Sequence, residues 1–282
     1  MRGKSIEILR DAMRGDYAVG AFNTSNMELT QAIVRAAKQE GPCIVQATTN
    51  GFKYGNSQVM GRLVKNIIEF ESESAKIGFH LDHGKSFDDI VSAIDAGVDS
   101  VMIDASLMSF EDNIKVTKQI VEYAHKNGVT VQAELGAVPY LGREDQEIDW
   151  DSVMTNPVQA KELVEKTGID ALAVGIGNAH GFFKERDVPD WERLEEIRRL
   201  LPETPLIMHG ASDWGDVNVK KAIEGGVCCF NIDTDIRVAF LSTICHETGN
   251  GCNVTDPRKL LGLARDKVQS VVQGKIRMFS GK

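Results

Sequence analysis

The sequence predicts an α/β protein folded as a single-domain (βα)8 TIM barrel, and three observations carry that reading. A helix-closing glycine followed by a short Val- and Ile-rich run recurs as KQEGPCIVQAT, DAGVDSVMID, HKNGVTVQAEL, EKTGIDALAVGIG and EGGVCCFNID. Amphipathic stretches separate these runs, and helical periodicity alternating with strand runs means βαβ units and a parallel sheet. With three further runs the count reaches eight strands in 282 residues, close to the usual size of such a barrel.

The first strand is expected at 18–23 (AVGAFN). A helix follows, with Leu29, Ile33, Ala36 and Ala37 on one face and Gln31, Arg35 and Lys38 elsewhere. Gly41 ends that helix, and CIVQAT gives the second strand. KIGFHL (76–81) is the third, and the run after Gly97 the fourth. Ile114, Ile120, Val121 and Ala124 mark a helix across 111–126, after which Gly128 leads the fifth strand. Gly168 leads the sixth, PLIM (205–208) is the seventh, and Gly226 leads the eighth. The five glycines sit where a helix closes with a left-handed residue, and the runs after them suit strands buried on both faces. A segment of about 256–282 reads as helical and is expected to pack on the barrel or on a neighbouring subunit, which makes 1–282 one domain. A doubly wound open sheet is the competitor, but its glycine-rich nucleotide fingerprint is missing after the first strand, which ends in AFNTSN.

Composition narrows the partners. A formal charge of −9 with no basic run argues against nucleic acid, whereas phosphorylated metabolites need only local N–H groups and a few cations. The N-terminal stretch MRGKSIEILRDAMRGDYAVGAF has no long apolar region, and no segment approaches a membrane-spanning length. The five cysteines lack metal-finger spacing, and Cys228 and Cys229 lie in the apolar run GVCCFNI. They read as buried thiols, and a cytoplasmic location is expected.

In a barrel the C-terminal strand ends form the active face. Here they carry Asn23, Thr49, Asp82, His83, Asp104, Glu134, His180, His209 and Asn231. His83, His180 and His209 come from three different strand ends, and three neutral imidazoles plus an open position make a common catalytic zinc arrangement. The bland alternative is three separate histidines, each satisfied by hydrogen bonds. Asp104 and Glu134 suit a second metal position, or partners that fix the imidazoles, or helix caps. His80, two residues before Asp82, is expected to support the ligands from behind. Ser86 is a candidate helix cap, and His125, near a helix C-terminus, reads as a dipole partner. HGAS (209–212) and NIDTD (231–235) follow the seventh and eighth strands, where barrels commonly hold a phosphate. Gly210 permits close backbone approach, Ser212 and Thr234 offer hydroxyls, and Gly181 and Lys184 stand ready to complete the clamp. No strand run ends in lysine, so Schiff-base chemistry is disfavoured against a metal.

These fragments, taken as HLDHG (80–84), SVMIDAS (100–106), AELG (133–136), AHG (179–181), HGAS, NIDTD and DPR (256–258), resemble the zinc-dependent class II aldolases. That family includes fructose- and tagatose-bisphosphate aldolases and their ketose-phosphate relatives, and the resemblance spans almost the whole chain. It implies zinc on His83, His180 and His209, with Asp104 and Glu134 at an alternate metal position and room for a monovalent cation. Asp82 becomes the acid/base for the C4 hydroxyl, and Glu144 in the loop AVPYLGREDQE the second one. Gly181, the loop Gly210, Ala211 and Ser212, and the run Asn231, Ile232, Asp233 and Thr234 become the dihydroxyacetone-phosphate site. Arg258 becomes a residue that reaches a neighbouring subunit's site, in a homodimer or homotetramer. The implied reaction is reversible cleavage of fructose 1,6-bisphosphate to dihydroxyacetone phosphate and glyceraldehyde 3-phosphate through a zinc-stabilised enediolate. Three departures bear on the substrate. Asp213 stands where many members have glycine, the loop 137–147 lacks two adjacent glycines, and Thr49 replaces a serine found near the aldehyde phosphate in some members. The rivals are a tagatose-bisphosphate or other ketose-1-phosphate aldolase, a metal-dependent hydrolase, and a sugar-phosphate sensor without catalysis.

Overall fold

The computed structural model describes residues 3–139, 149–180, 189–249 and 255–281. Eight strands form, β1 (Val19–Asn23), β2 (Cys43–Thr48), β3 (Ile77–Gly84), β4 (Ser100–Ile103), β5 (Thr130–Leu135), β6 (Ala171–Val174), β7 (Leu206–Met208) and β8 (Val227–Ile232). They pair in parallel in chain order, and β8 closes onto β1. Closure excludes the open doubly wound sheet.

Twelve helices are found among the described residues: α1 (Ser5–Arg14), α2 (Met27–Glu40), α3 (Thr49–Gly55), α4 (Ser57–Glu71), α5 (Phe87–Ala96), α6 (Phe110–Lys126), α7 (Trp150–Val153), α8 (Pro157–Thr167), α9 (Trp191–Leu200), α10 (Asp216–Glu224), α11 (Thr234–Thr248) and α12 (Pro257–Ser280). The five helix-closing glycines all have positive φ, but Gly41, at φ 139° and ψ −170°, takes an extended mirror-image conformation instead of the left-handed helical one. Ser86 caps α5 by accepting from the Asp89 N–H. His125 does lie in the last turn of α6, yet its Nε2 is 2.8 Å from an oxygen of Asp170, so it has a carboxylate partner as well as the helix end.

Strand alternation sorts the core into two layers. Outward positions such as Phe22, Val45, Phe79, Leu81, Val101, Leu172 and Phe230 join the helices in the larger apolar cluster. Inward positions near the strand starts are apolar too: Val19, Ala21, Ile44, Ala171, Ala173, Ile207 and Cys229 pack with Ile8, Leu9 and Ala12 of α1. The first helix therefore plugs the N-terminal end of the barrel, anchored by the Ser5 N–H donating to Asp99 at 2.7 Å. Higher up, the inward positions turn polar, with Asn23, Gln46, His80, Asp82, Ser100, Gln132, Glu134 and His209 all buried. A strand of this kind needs a reason to bury polar groups, and the mouth supplies it.

The C-terminal helix α12 lies along α2 and α11. Its end is stitched to β1 by the Ala18 N–H donating to the Phe279 carbonyl, and Phe279 stacks on Phe230 with centroids 4.7 Å apart. Cys43, Cys228 and Cys229 are buried free thiols, and Cys245 is an exposed one. Among the described residues no helix is long and apolar enough to cross a membrane.

Candidate active site

The site begins where β3 breaks its own alternation. Leu81 pairs with Val101 but Gly84 pairs with Ile103, so β3 spends one residue more than β4 over the same interval. The extra residue makes a bulge. His83 takes φ 50° there, a left-handed conformation that costs a side-chain-bearing residue roughly 1–2 kcal/mol. Regular alternation would turn His83 outward beside an inward Asp82; the bulge brings both to the mouth. The strained backbone is pinned from two sides. The Thr49 hydroxyl donates to the His83 carbonyl at 3.2 Å, and the Asp104 N–H donates to the Gly84 carbonyl at 2.8 Å.

His83, His180 and His209 meet as the barrel geometry requires. Their ring centroids are 5.7, 4.7 and 6.2 Å apart for the pairs 83–180, 83–209 and 180–209. One ligand atom from each lies within 4.8 Å of the others. Two of the rings, His83 and His209, have polar neighbours that steer them. Asp104 sits 2.9 Å from His83 Nδ1, and its other oxygen accepts from the Ser106 hydroxyl and N–H. His209 has Asn231 Nδ2 3.0 Å from Nε2, and Glu134 Oε2 3.2 Å from Nδ1. That last contact is an ion-pair distance without hydrogen-bond alignment, because both atoms lack an aligned partner among the described residues. Asn178 donates to the His209 carbonyl at 2.9 Å and so ties the β6 loop to the end of β7.

Asp82 is buried within this ring. It accepts from Asn23 Nδ2 at 2.9 Å and from Asn231 Nδ2 at 3.1 Å, while Gln46 Nε2 donates to Asn23 Oδ1 at 2.6 Å. The carboxylate therefore cannot rotate without breaking two amide contacts. His80 lies below it, buried, with Nδ1 3.0 Å from the Ser100 hydroxyl, and it is not one of the clustered imidazoles.

The electrostatics favour a cation. Burial alone would push the His83 imidazolium down, but Asp82, the bond to Asp104 and the charge of Glu134 outweigh it and raise its pKa to about 10. Burial raises the Asp82 carboxyl, and His83, His209 and the Asn23 amide more than reverse that, leaving it below its usual value. Asp104 is likewise held low against its burial by His83 and Ser106. Burial first, then electrostatic repulsion from the neighbouring rings, pushes His180 down to about 3, so it is neutral and able to coordinate. Burial likewise lowers His80 to about 4. Three imidazoles ringed by three carboxylates thus attract one positive charge, which a proton on His83 supplies when no metal does. This donor set fits a divalent ion that accepts nitrogen ligands.

The two phosphate-loop candidates lie beside the histidines. Gly210 has φ 62°, and a Cβ there would come within 2.4 Å of the Ala179 carbonyl oxygen. Ala211 and Ser212 are buried, whereas Asp213 is exposed. Asn231, Asp233 and Thr234 are half-buried; Ile232 is buried in the outer core, which leaves only its backbone for a ligand. Thr49 opens α3 instead of ending β2, and its hydroxyl is committed to His83. Arg258 is exposed, with Nη2 3.0 Å from Asp256 on its own chain. Glu144, Gly181 and Lys184 lie outside the described residues.

Comparison with known proteins agrees with this geometry. The profile of the family described as "Fructose-bisphosphate aldolase class-II" matches residues 4–282. The chain belongs to this aldolase family. It is 40% identical over 280 residues to a fructose-bisphosphate aldolase of Geobacillus stearothermophilus, covering 98% of this chain and 96% of that protein. A fructose-bisphosphate aldolase of Thermus caldophilus is 39% identical over 300 residues, covering 97% and 96%. The crystal structure of the YdjI aldolase from Escherichia coli K12 superposes with a TM-score of 0.85 at 30% identity, covering 99% of this chain and 97% of that one. The protein is therefore a class II aldolase, a carbon–carbon lyase of a metal-dependent family. The site also contains residues that the sequence does not single out. Gln46 and Asn178 were visible only as polar letters in the apolar contexts CIVQAT and AVGIGNAH, and Ser106 as the last letter of IDAS.

Proposed function

We propose that this aldolase reversibly cleaves fructose 1,6-bisphosphate into dihydroxyacetone phosphate and glyceraldehyde 3-phosphate, with zinc as its metal. The observation that carries the reading is the placement of buried Asp82, gripped by Asn23 and Asn231, inside the ring of His83, His180 and His209. The curated relatives named above as fructose-bisphosphate aldolases support the choice of sugar.

Zinc held by the three histidines supplies, when bound, a Lewis acid for the charge that develops on the substrate ketone. The chain's own groups handle the protons. Asp82, ionised at neutral pH by its surroundings, accepts the C4 hydroxyl proton as the C3–C4 bond breaks and C4 becomes the aldehyde carbon. The two amides keep its oxygens aimed while the proton moves. Glu144 is assigned the proton delivered to C3. Asp104 and Glu134 are assigned to orienting His83 and His209 toward the metal position. The loops at Gly210, Ala211 and Ser212 and at Asn231, Ile232, Asp233 and Thr234 are assigned to the ketose phosphate group, with Gly181 and Lys184 beside them.

The enzyme is proposed to act in the cytoplasm as a homodimer or homotetramer, in which Arg258 reaches the neighbour's site. Helix α11 supports this, since Val238 and Leu241 are exposed on it and Leu263 of α12 is exposed too. The deciding experiment is a coupled cleavage assay on fructose 1,6-bisphosphate, tagatose 1,6-bisphosphate and ketose 1-phosphates, each with zinc and with chelator. Fructose 1,6-bisphosphate is expected to have the highest kcat/KM, with activity lost on chelation. Preference for another ketose, or turnover in metal-free enzyme, overturns the proposal.

A further inference from the structure

Helix α12 contributes one polar side chain to the mouth that no strand provides. Lys275 is largely buried, with about one-eighth of its side chain exposed (13%). Its neighbours Val272, Ile276 and Phe279 lie on the buried face of α12, which turns the lysine stem toward the barrel. Among the described residues the ammonium has two polar contacts, and they come from different loops. It donates to the Ser212 carbonyl at 2.7 Å, and it lies 2.8 Å from the Asp235 carboxylate in the first turn of α11.

We propose that Lys275 is a positioning residue that sets the spacing of the two phosphate loops; this rests on the assignment of those loops to the ketose phosphate. The physical basis is the peptide plane. Fixing the Ser212 oxygen on Lys275 fixes the Asp213 N–H in the opposite direction, because the unit is planar and trans. At the other loop, Asp235 follows Thr234 directly and faces the same ammonium at ion-pair distance, without hydrogen-bond alignment among the described residues. One charged atom therefore determines how far the Gly210–Ser212 backbone stands from the start of α11. A phosphate gripped by N–H groups from both sides needs that spacing to within a few tenths of an ångström.

The surroundings hold the lysine itself in place. Trp214 follows the first loop and meets Phe230 of β8 edge-on at 6.5 Å, and Phe230 stacks on Phe279 of α12. The aromatic column keeps the end of α12 against both loops, and Lys275 converts that contact into a polar tether. A lysine needed only for solubility would not be buried between a backbone carbonyl and a carboxylate. Lys275 touches no reacting atom in this scheme; its expected effect is on binding of the phosphate end.

The test uses the full-length zinc-loaded enzyme and the variants Lys275→Met and Lys275→Arg. In Lys275→Met, the KM for ketose bisphosphate and the inhibition constant of dihydroxyacetone phosphate are expected to rise about tenfold or more, the scale of one lost charge-assisted hydrogen bond. The kcat is expected to stay within a few-fold and the zinc content to stay unchanged. Lys275→Arg, which keeps the charge and the donors, should recover most of the affinity. A folded Lys275→Met enzyme with wild-type KM, or one that loses kcat alone, overturns the proposal. If Lys275→Met does not fold, Asp235→Asn takes its place, and an unmoved KM there overturns it equally. Wild-type turnover in the same assay separates the two levels. No wild-type cleavage of any ketose phosphate sinks the underlying reading, whereas wild-type cleavage with unmoved variants sinks only the role of Lys275.

Discussion

Gly210 is the position where a single methyl group should do the most damage. An alanine Cβ there would lie 2.4 Å from the Ala179 oxygen, 2.5 Å from its carbonyl carbon and 3.0 Å from the His180 nitrogen. All three are backbone atoms, so no flexible side chain can move aside. Restoring contact distances of about 3.5 Å requires the β7 loop or the Ala179–His180 segment to retreat by roughly an ångström. The φ of 62° adds roughly 1–2 kcal/mol of backbone strain for a residue with a Cβ. Either retreat separates His180, proposed as a metal ligand, from the loop proposed to hold the phosphate, and misplacement by about 1 Å can cost on the order of 100-fold in rate. Gly210→Ala is therefore expected to lower kcat/KM by about two orders of magnitude and to weaken zinc binding. Its melting temperature should fall by about 3–6 °C. Steady-state cleavage, zinc titration and thermal melting measure the three effects. The control is Gly274→Ala in α12, where an added Cβ meets nothing within 4 Å; it should stabilise by about 0.5–1 kcal/mol with unchanged kinetics. Wild-type kcat/KM and zinc affinity in Gly210→Ala would refute the reasoning about this contact.

Four other outcomes are expected. Because the His83 pKa is raised to about 10, the metal-free enzyme carries that proton at neutral pH, and zinc binding as proposed must expel it. Calorimetry in buffers of different ionisation heat should show about one proton released, with affinity rising as pH rises toward the His83 pKa; no buffer dependence would contradict it. Asp82→Asn keeps the shape of the site but not its base, so kcat should fall by about 10²–10⁴-fold with zinc content intact, and unchanged turnover would remove Asp82 from the mechanism. Borohydride with dihydroxyacetone phosphate should leave no covalent adduct by mass spectrometry; a trapped lysine would overturn the metal route. Zinc at a thousandfold excess over its Kd should stabilise the fold by about 4 kcal/mol relative to chelated enzyme, and identical melting temperatures would argue against zinc binding at the three histidines.

The barrel was legible because its evidence is local. Glycine, a both-face-buried strand and an amphipathic helix repeat within short windows, and each window needs no knowledge of the others. The three histidines were legible for a related reason, since each falls just after a strand run and a barrel sends all such positions to one mouth. What stayed hidden depends on distance in space. The His83 bulge follows from a register mismatch with β4, which no single strand reveals. Asp170 lies 45 residues from His125, and Lys275 lies 63 from Ser212. Thr49 reads as a strand end because the apolar run CIVQAT has no internal stop, whereas Thr48 caps α3 by accepting from the Gly51 N–H and ends the strand one residue sooner.

The division of labour inside the barrel explains why the mouth can be so costly a place. Its lower half is closed by apolar side chains and the α1 plug, and its outer face is packed against the helices. Those layers are built from ordinary hydrophobic burial and do not depend on the site. The upper interior instead holds a left-handed histidine and buried carboxylates about three imidazoles, each feature unfavourable without a partner. Most of them are tied to their neighbours: His83 to Asp104 and Thr49, Asp104 to Ser106, Asp82 to Asn23 and Asn231, Asn23 to Gln46, while Glu134 meets His209 at ion-pair distance alone. Such a network holds its shape because the rigid barrel below fixes the strands from which it projects. The excess of negative charge is then the feature that makes a divalent cation the natural completion of the site. Asp82 and Asp104 are held below their usual pKa by this network, so at neutral pH they stabilise the metal-free fold as well as favouring a cation, and removing either should weaken both.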